Sequence, residues 1–287
     1  MKKLALLIGL FAFVVVGAIA QDNDSDISQT GDNQTATVTQ DGKENDSDVD
    51  QYTDNMGPQT AEVIQKGKEN KADVDQSQTG GGNNTPASTA YLEQIGEENY
   101  GRQYQNAPNS NSGQHVYGYQ KGDDNSLKQF IYQGHTESAY TEQKGDDNTA
   151  EQKIEGGGHN HAEIFQKGDD HRAYQDLKGS NHGYSSGRIL IDQKGKGNEA
   201  WQDIDGGGST TSTNVRAYQN GEDNWSKQFS DGKNTDSEVN QKGDDHWARI
   251  DVLGDDNWSR VEQKGDGHKS DISQSGDMNT ADVMQKN

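Results

Sequence analysis

Polar and apolar side chains alternate along most of the chain in short bursts. Asn148, Ala150, Gln152 and Ile154 take every second position of one burst, and Asn279, Ala281, Val283 and Gln285 of another. A period of two predicts a β-strand with one face turned inward. With the inward positions written p1, p3, p5 and p7, p1 falls at residues 23, 34, 45, 59, 70, 88, 99, 114, 125, 137, 148, 160, 171, 187, 198, 213, 224, 235, 246, 257, 268 and 279, which predicts 22 short strands. Such repetition is the signature of a stack of units, each unable to bury its face alone.

The steps between strands are of two kinds. From 34 to 45, 59 to 70, 88 to 99 and on to 257 to 268, the step is eleven residues in all ten cases. The alternate steps vary: 45 to 59 is 14, 70 to 88 is 18 and 171 to 187 is 16. A coil of strand, turn, strand and loop gives this pattern, with one invariant edge and one variable edge. The expected fold is all-β: a two-sheet β-solenoid of cross-β type with about 11 coils, on the order of 50 Å long at about 4.8 Å per coil.

The invariant turn reads Gln-x-Gly-x-x-Asn. Its glycines are Gly42, Gly67, Gly96, Gly122, Gly145, Gly168, Gly195, Gly221, Gly243 and Gly265. Glycine at one fixed place implies a positive φ or no room for a Cβ. The variable loops carry Gly80-Gly81-Gly82 and Gly206-Gly207-Gly208, and Pro58, Pro86 and Pro108 also fall in them, where proline spares the ladder.

The amides flanking the turn are expected to stack coil on coil. These are Gln40 and Asn45, Gln65 and Asn70, Gln94 and Asn99, Gln120 and Asn125, Gln143 and Asn148, Gln193 and Asn198, and Gln219 and Asn224, together with Gln166, Gln241, Gln263, Asn279 and Gln285. Stacked amides bond along the axis. A buried amide left unpaired costs about 1–3 kcal/mol, so the ladder also enforces register. His171, His246 and His268 replace Asn, and the last two are expected to stack, as are the outward Trp225 and Trp247. Small residues at p3 (Ala36, Ala61, Ala150, Ala173, Ser259, Ala281) and aliphatics at p5 or p7 (Val63, Ile164, Ile191, Val239, Ile250, Val283) supply a thin dry seam.

Composition sharpens this picture. Only 27% of the 287 residues are hydrophobic, there are 35 Gly and no Cys, and the net charge is −22. Such values alone describe a disordered chain; the fixed periodicity argues otherwise. Without cysteine the fold has no disulfide staples. The acidic balance argues against nucleic acid and against anionic membrane surfaces as partners. At the N-terminus Lys2 and Lys3 precede an apolar run, Leu4 to Val16, and Ala18-Ile19-Ala20. Residues 1–20 therefore read as a secretory signal peptide cleaved before Gln21, with 21–287 as the repeat domain and no membrane insertion.

Other chemistry finds little support. Calcium-binding nonapeptide repeats need a period of nine, not eleven. Asp123, Asp146 and Asp169 are expected in one column and Lys121, Lys144 and Lys167 in another, so salt or divalent cations are expected to speed assembly. His159 and His161 lack the ligand spacing of a metal site and read as solvated turn residues. No nucleophile–base pair or phosphate-cradling loop stands out, so neither catalysis nor a cofactor is expected.

At this point the residues match a known pattern. Ser-x5-Gln-x-Gly-x2-Asn-x-Ala-x3-Gln is the curlin repeat. Ser88, Gln94, Gly96, Asn99 and Gln105 follow it with Gly101 in place of Ala, and Gln65, Gly67, Asn70, Ala72 and Gln76 follow its second half in full. The chain resembles the curlin family over essentially all of its mature length. The resemblance implies an extracellular functional amyloid, the curli fibre, serving biofilm and adhesion as a pilus-like surface structure. It implies export through a dedicated outer-membrane channel with accessory factors, growth from a nucleating subunit, and a role in assembly for the repeat amides, here Gln65, Asn70, Gln143, Asn148, Gln263 and Asn279. The regular C-terminal repeats resemble a major subunit rather than a minor nucleator.

The chain also departs from the family pattern, with about twice the usual five repeats and almost nothing between the leader and Asn23. Central even strands move Gln to p5 and an aliphatic to p7, as in Gln152/Ile154, Gln175/Leu177 and Gln202/Ile204. The alternatives are a nucleating curlin or a monomeric cation-binding solenoid. Both outer edges of the stack are expected to be bare, and a bare strand edge is a template for another chain, here a second copy joined through the terminal strands.

Overall fold

The computed structural model describes residues 13–14, 22–54, 57–79, 87–108, 113–132, 137–156, 160–179, 188–205 and 213–287. The expected signal peptide lies outside the described residues except for Phe13 and Val14, and so do residues 80–86, 187 and 206–208 and His159. Among the described residues there is no helix, and so none long and apolar enough to cross a membrane.

Twenty-two strands, from Asp24–Thr30 to Thr280–Lys286, alternate between two sheets in chain order. Every pairing is parallel and joins a strand to the one two further along, with like inward positions in register. Thus Gln129 lies between Gln103 and Gln152, and Gln143 between Gln120 and Gln166. This is the two-sheet β-solenoid that the alternation predicts. One further short strand, Phe13–Val14, pairs with Thr37 and Val38 at the outer edge of one sheet.

The inward positions meet between the sheets. Ala61, Val63 and Gln65 on one side, and Ala72, Val74 and Gln76 on the other, are each at most 1% exposed. Alanine or serine at p3 lets the sheets approach, and the aliphatic positions form dry seams along the axis.

The turn glycines meet both conditions expected of them. Gly145 has φ +119°, and a Cβ built on it would fall 2.2 Å from the Gly168 carbonyl oxygen of the next coil. Two residues on, Asp147 is also left-handed at φ +56°. Asp and Asn tolerate that region better than most residues, and Gly197 and Gly267 fill the same place in their own turns. Backbone pairing runs through the turn: Gly145 N donates to Lys121 O at 2.9 Å, and Asp147 N to Asp123 O at 3.0 Å.

Candidate functional site: amide columns and open edges

The p7 glutamines of one sheet form a column ten bonds long. Gln40 Nε2 donates to Gln65 Oε1, Gln65 to Gln94, and Gln94 to Gln120, each at 2.9 Å. The column continues from Gln120 through Gln143, Gln166, Gln193, Gln219, Gln241 and Gln263 to Gln285, at 2.8–3.0 Å. Each Nε2 spends its second proton on backbone carbonyls, as Gln65 does on Asn70 O at 3.0 Å and Asp46 O at 2.9 Å. These bonds tie the two sheets together.

The asparagine column runs along the invariant edge. Asn70 Nδ2 donates to Asn45 Oδ1 at 2.9 Å and to the Gly96 carbonyl at 2.8 Å, while Asn70 Oδ1 receives Asn99 Nδ2 at 2.9 Å and Asn99 N at 3.2 Å. Two donor protons and two acceptor positions are all used, which is what a buried amide needs. Asn99 and Asn125 repeat the arrangement in full; Asn148 and Asn224 donate back to Asn125 and Asn198 in the same way, while Asn198 Nδ2 donates to Lys194 O and Gly221 O. His171 interrupts it but keeps part of the pattern: its N–H donates to Asn148 Oδ1 at 3.1 Å, and its Nδ1 accepts from Asn198 N at 3.2 Å. His246 and His268 stack at 5.3 Å and 6°. Asn279 belongs to the other edge, where its N–H donates to Asn257 Oδ1 at 2.9 Å.

The second sheet holds a column that changes track. At p7, Gln29, Gln51, Gln76 and Gln105 are joined at 2.6–2.7 Å. At p5, Gln103, Gln129, Gln152, Gln175, Gln202 and Gln228 are joined at 2.9 Å. The strand Tyr100–Pro108 carries both Gln103 and Gln105 and hands one column to the other. The handover leaves Gln103 Oε1 buried without a hydrogen bond.

The aspartate column is built otherwise than charge alone implies. Asp123 Oδ1 accepts Glu97 N at 2.8 Å, Asp146 Oδ1 accepts Asp123 N at 2.9 Å, and Asp169 Oδ1 accepts Asp146 N at 3.1 Å. Each carboxylate thus caps the preceding coil's backbone, which offsets the like-charge stacking. Lys144 pairs with Glu142 two residues before it on its own strand, rather than with the turn aspartates.

Outer faces carry aromatic stacks. Trp225 and Trp247 lie 5.2 Å apart at 6°. Tyr91, Tyr117 and Tyr140, overlooked in the sequence although each sits at p4 of a successive strand in one sheet, stack at 4.9 and 4.6 Å. Burial, and the hydrogen bond to the Glu93 carboxylate, push the Tyr91 hydroxyl well above its ordinary range.

One nucleophile–base grouping forms that linear spacing concealed. Ser138 Oγ lies 2.5 Å from His161 Nδ1, and His161 Nε2 lies 3.1 Å from Glu163 Oε1. Parallel register brings Ser138 beside His161. Arg188 engages the Glu163 carboxylate at 2.7 and 2.8 Å, and flanking sheet N–H groups such as Ser138 N, bound to Asn160 O, are taken up in the ladder. The four side chains form a hydrogen-bonded, charged brace across three neighbouring strands of one sheet. Among the described residues no cluster of three or more His, Asp or Glu is placed to hold a metal ion.

Among the described residues, Asp24–Thr30 pairs only with Asp46–Asp54, and Thr280–Lys286 only with Trp258–Lys264, while the outer edge of Gln34–Lys43 carries just the Phe13–Val14 bridge. Ile27 is half-buried, whereas Val49, the next residue of its column, is fully buried.

A family model, the curlin associated repeat, matches residues 20–52 and 254–286, the two ends of the stack. Those two stretches are curlin-like repeats. No curated protein matches the chain. The curlin-repeat match and the solenoid together support a structural subunit of curli type.

Proposed function

We propose that the chain is secreted and forms the subunit of an extracellular curli-type amyloid fibre, a pilus-like biofilm matrix component that serves surface adhesion. The subunit grows end to end through its terminal strands. The observation that carries this reading is the pair of unpaired parallel edges, whose inward residues are half-exposed at the ends and buried one coil inside. Such edges recruit further strands. In this reading residues 1–20 direct export, the chain crosses the outer membrane through a curli channel with accessory factors, and a nucleating subunit starts the fibre. The repeat amides then set the rate of nucleation and growth.

The test is to incubate the purified chain from Gln21 onward and follow thioflavin fluorescence and electron microscopy. Thioflavin-positive fibres are expected. A permanently soluble monomer with β-rich dichroism would overturn the reading.

A further inference from the structure

The sheet that holds the glutamine column from Gln40 to Gln285 carries a second column on its outer face, at p2. It runs Thr89, His115, Ser138, His161 and Arg188, one residue per coil and in register. Hydroxyl and imidazole alternate, and each hydroxyl meets the imidazole one coil on. Thr89 Oγ1 lies 2.7 Å from His115 Nδ1, and Ser138 Oγ 2.5 Å from His161 Nδ1. The two pairs differ two residues further along the strand, where side chains return to the same face. Tyr117 stands beside His115, and Glu163 beside His161. The second pair therefore has a carboxylate on its imidazole, with Glu163 Oε1 at 3.1 Å from Nε2.

The partners divide the atoms of this grouping between them. Arg188 Nε and Nη2 both donate to Glu163 Oε2, at 2.8 and 2.7 Å, which leaves Oε1 for His161. A carboxylate only accepts, so in the neutral ring Nε2 carries the proton. Nδ1 is then the bare nitrogen that accepts from the Ser138 hydroxyl. The Glu163 side chain is 16% exposed and that of His161 43%, so the carboxylate is sheltered while the base and its serine face solvent.

The geometry points to an acyl-transfer site for neutral aryl esters, in which Ser138 is the nucleophile, His161 its general base, and Glu163, held by Arg188, the positioning residue. Ser138 Oγ bonds to the ester carbonyl carbon as its proton passes to Nδ1. The bond from that carbon to the aryl oxygen then breaks, and the leaving oxygen takes the proton from Nδ1. Water repeats the sequence on the acyl-serine. Its oxygen bonds to the acyl carbon, its proton goes to Nδ1 and on to Ser138 Oγ, and the carboxylic acid leaves. Ester and water give acid and phenol, and the chain is returned unchanged.

The surroundings select the substrate. Tyr117 and Tyr140, stacked at 4.6 Å, share the outer face two residues along from His115 and Ser138 and offer an aromatic surface beside the nucleophile. Glu142 and Glu163 on the same face disfavour an anionic ester. The ladder sets the limit: Ser138 N is bonded to Asn160 O and is not free to hold an oxyanion. On the side away from His161, Ser138 lies opposite His115, whose Nδ1 is taken by Thr89, so Nε2 is the ring atom left to meet that charge. A missing oxyanion donor costs about 10²–10³ in rate. The substrate must therefore bring a good leaving group, a phenol rather than an alkyl alcohol.

The test is a fluorophosphonate probe, which phosphonylates an activated serine. It is applied to the folded chain from Gln21 onward and to the same chain in urea, and the labelled residue is located by peptide mass spectrometry. Label on Ser138 of the folded chain alone is expected, with Thr89, which has an imidazole but no carboxylate behind it, unlabelled. Hydrolysis of p-nitrophenyl acetate then separates the roles. S138A should lose the turnover, and H161N should lower kcat about 100-fold. E163Q should lower kcat while KM is held, because Glu163 touches the imidazole and not the ester. S126A, which changes an outward serine of the other sheet, should hydrolyse as the parent chain does. An unlabelled chain, label spread over several serines or unchanged by urea, or an S138A variant as active as the parent would overturn the site. The site lies within one molecule, so a chain that is labelled at Ser138 but never forms fibres would uphold it while overturning the assembly proposed above.

Discussion

Gln65 and Asn70 are bonded across one turn, Gln65 Nε2 to Asn70 O at 3.0 Å, yet their side chains donate in opposite directions along the rod. Gln65 donates forward to Gln94, and Asn70 donates back to Asn45. These two columns therefore oppose their dipoles, while the glutamines of the second sheet donate forward as Gln65 does.

Removing one interior rung should break the column on both sides. Gln143→Leu leaves Gln120 Nε2 and Gln166 Oε1 without their bonds. At about 1–3 kcal/mol for each unsatisfied group, a loss of roughly 2–5 kcal/mol is expected in denaturant unfolding. An unchanged midpoint would show that the column contributes little.

Gly145→Ala should be far worse than Gly267→Ala. Alanine at 145 meets the Gly168 carbonyl and an unfavourable φ, and should cost about 4 kcal/mol or prevent folding. Position 267 has open space around it and φ +67°, so the cost there is about 1 kcal/mol. Comparing the two melting temperatures checks this.

Acid should act on the middle of the rod through His171. Burial holds its pKa below the ordinary 6.5, partly countered by the Lys167 carbonyl and by Asp169 and Asp170. The unfolded chain then binds more protons, so stability is full above about pH 6.5 and falls as pH drops through that value. His171→Asn should flatten the dependence, as read by urea unfolding at pH 7.5 and 5.5.

The N-terminal coils should respond with the opposite sign. Burial, followed by the neighbouring Asp50 and Asp73, raises the pKa of Asp48 and of Asp75, with Asp26 and Asp46 adding to Asp48, Asp48 adding to Asp75, and Arg102 opposing at Asp75. The folded state then binds more protons, so stability rises as pH falls toward the ordinary aspartate value of 3.8. Amide exchange in strands Asp46–Asp54 and Lys71–Thr79 should slow, relative to the intrinsic rate, between pH 6 and 4.5, and D48N/D75N should abolish the effect.

Salt should shorten the assembly lag. The acidic face formed by Asp24, Asp26, Asp46, Asp48 and Asp73 is exposed enough to be screened, so raising ionic strength from 10 to 150 mM, or adding calcium, is expected to speed growth. An unchanged lag would mean that the capping bonds already balance the column.

Much of this arrangement is legible in the sequence because a period of two with a fixed step leaves one solution for the register. The inward positions of Ala61, Val63 and Gln65, the left-handed Gly145 and the stacked Trp225 and Trp247 all follow from counting. What counting misses depends on atoms rather than positions. The Asp123 column reads as repulsion because a letter does not show a carboxylate reaching back to Glu97 N. Ser138 and His161 are 23 residues apart and become neighbours only through the parallel pairing. The handover from Gln105 to Gln103 is visible as a shift of letters, but the orphaned Gln103 Oε1 is not.

Like positions lie over like positions from one coil to the next, so the number of coils is a separable variable. Deleting residues 137–159 would bring Asn160 to the place of Glu137 and carry every column on in phase; removing one strand alone would set one sheet's residues on the other's. The span of the rod can thus be shortened or extended in whole coils while the terminal coils stay untouched, so that subunit size and the chemistry of the ends are free to change independently.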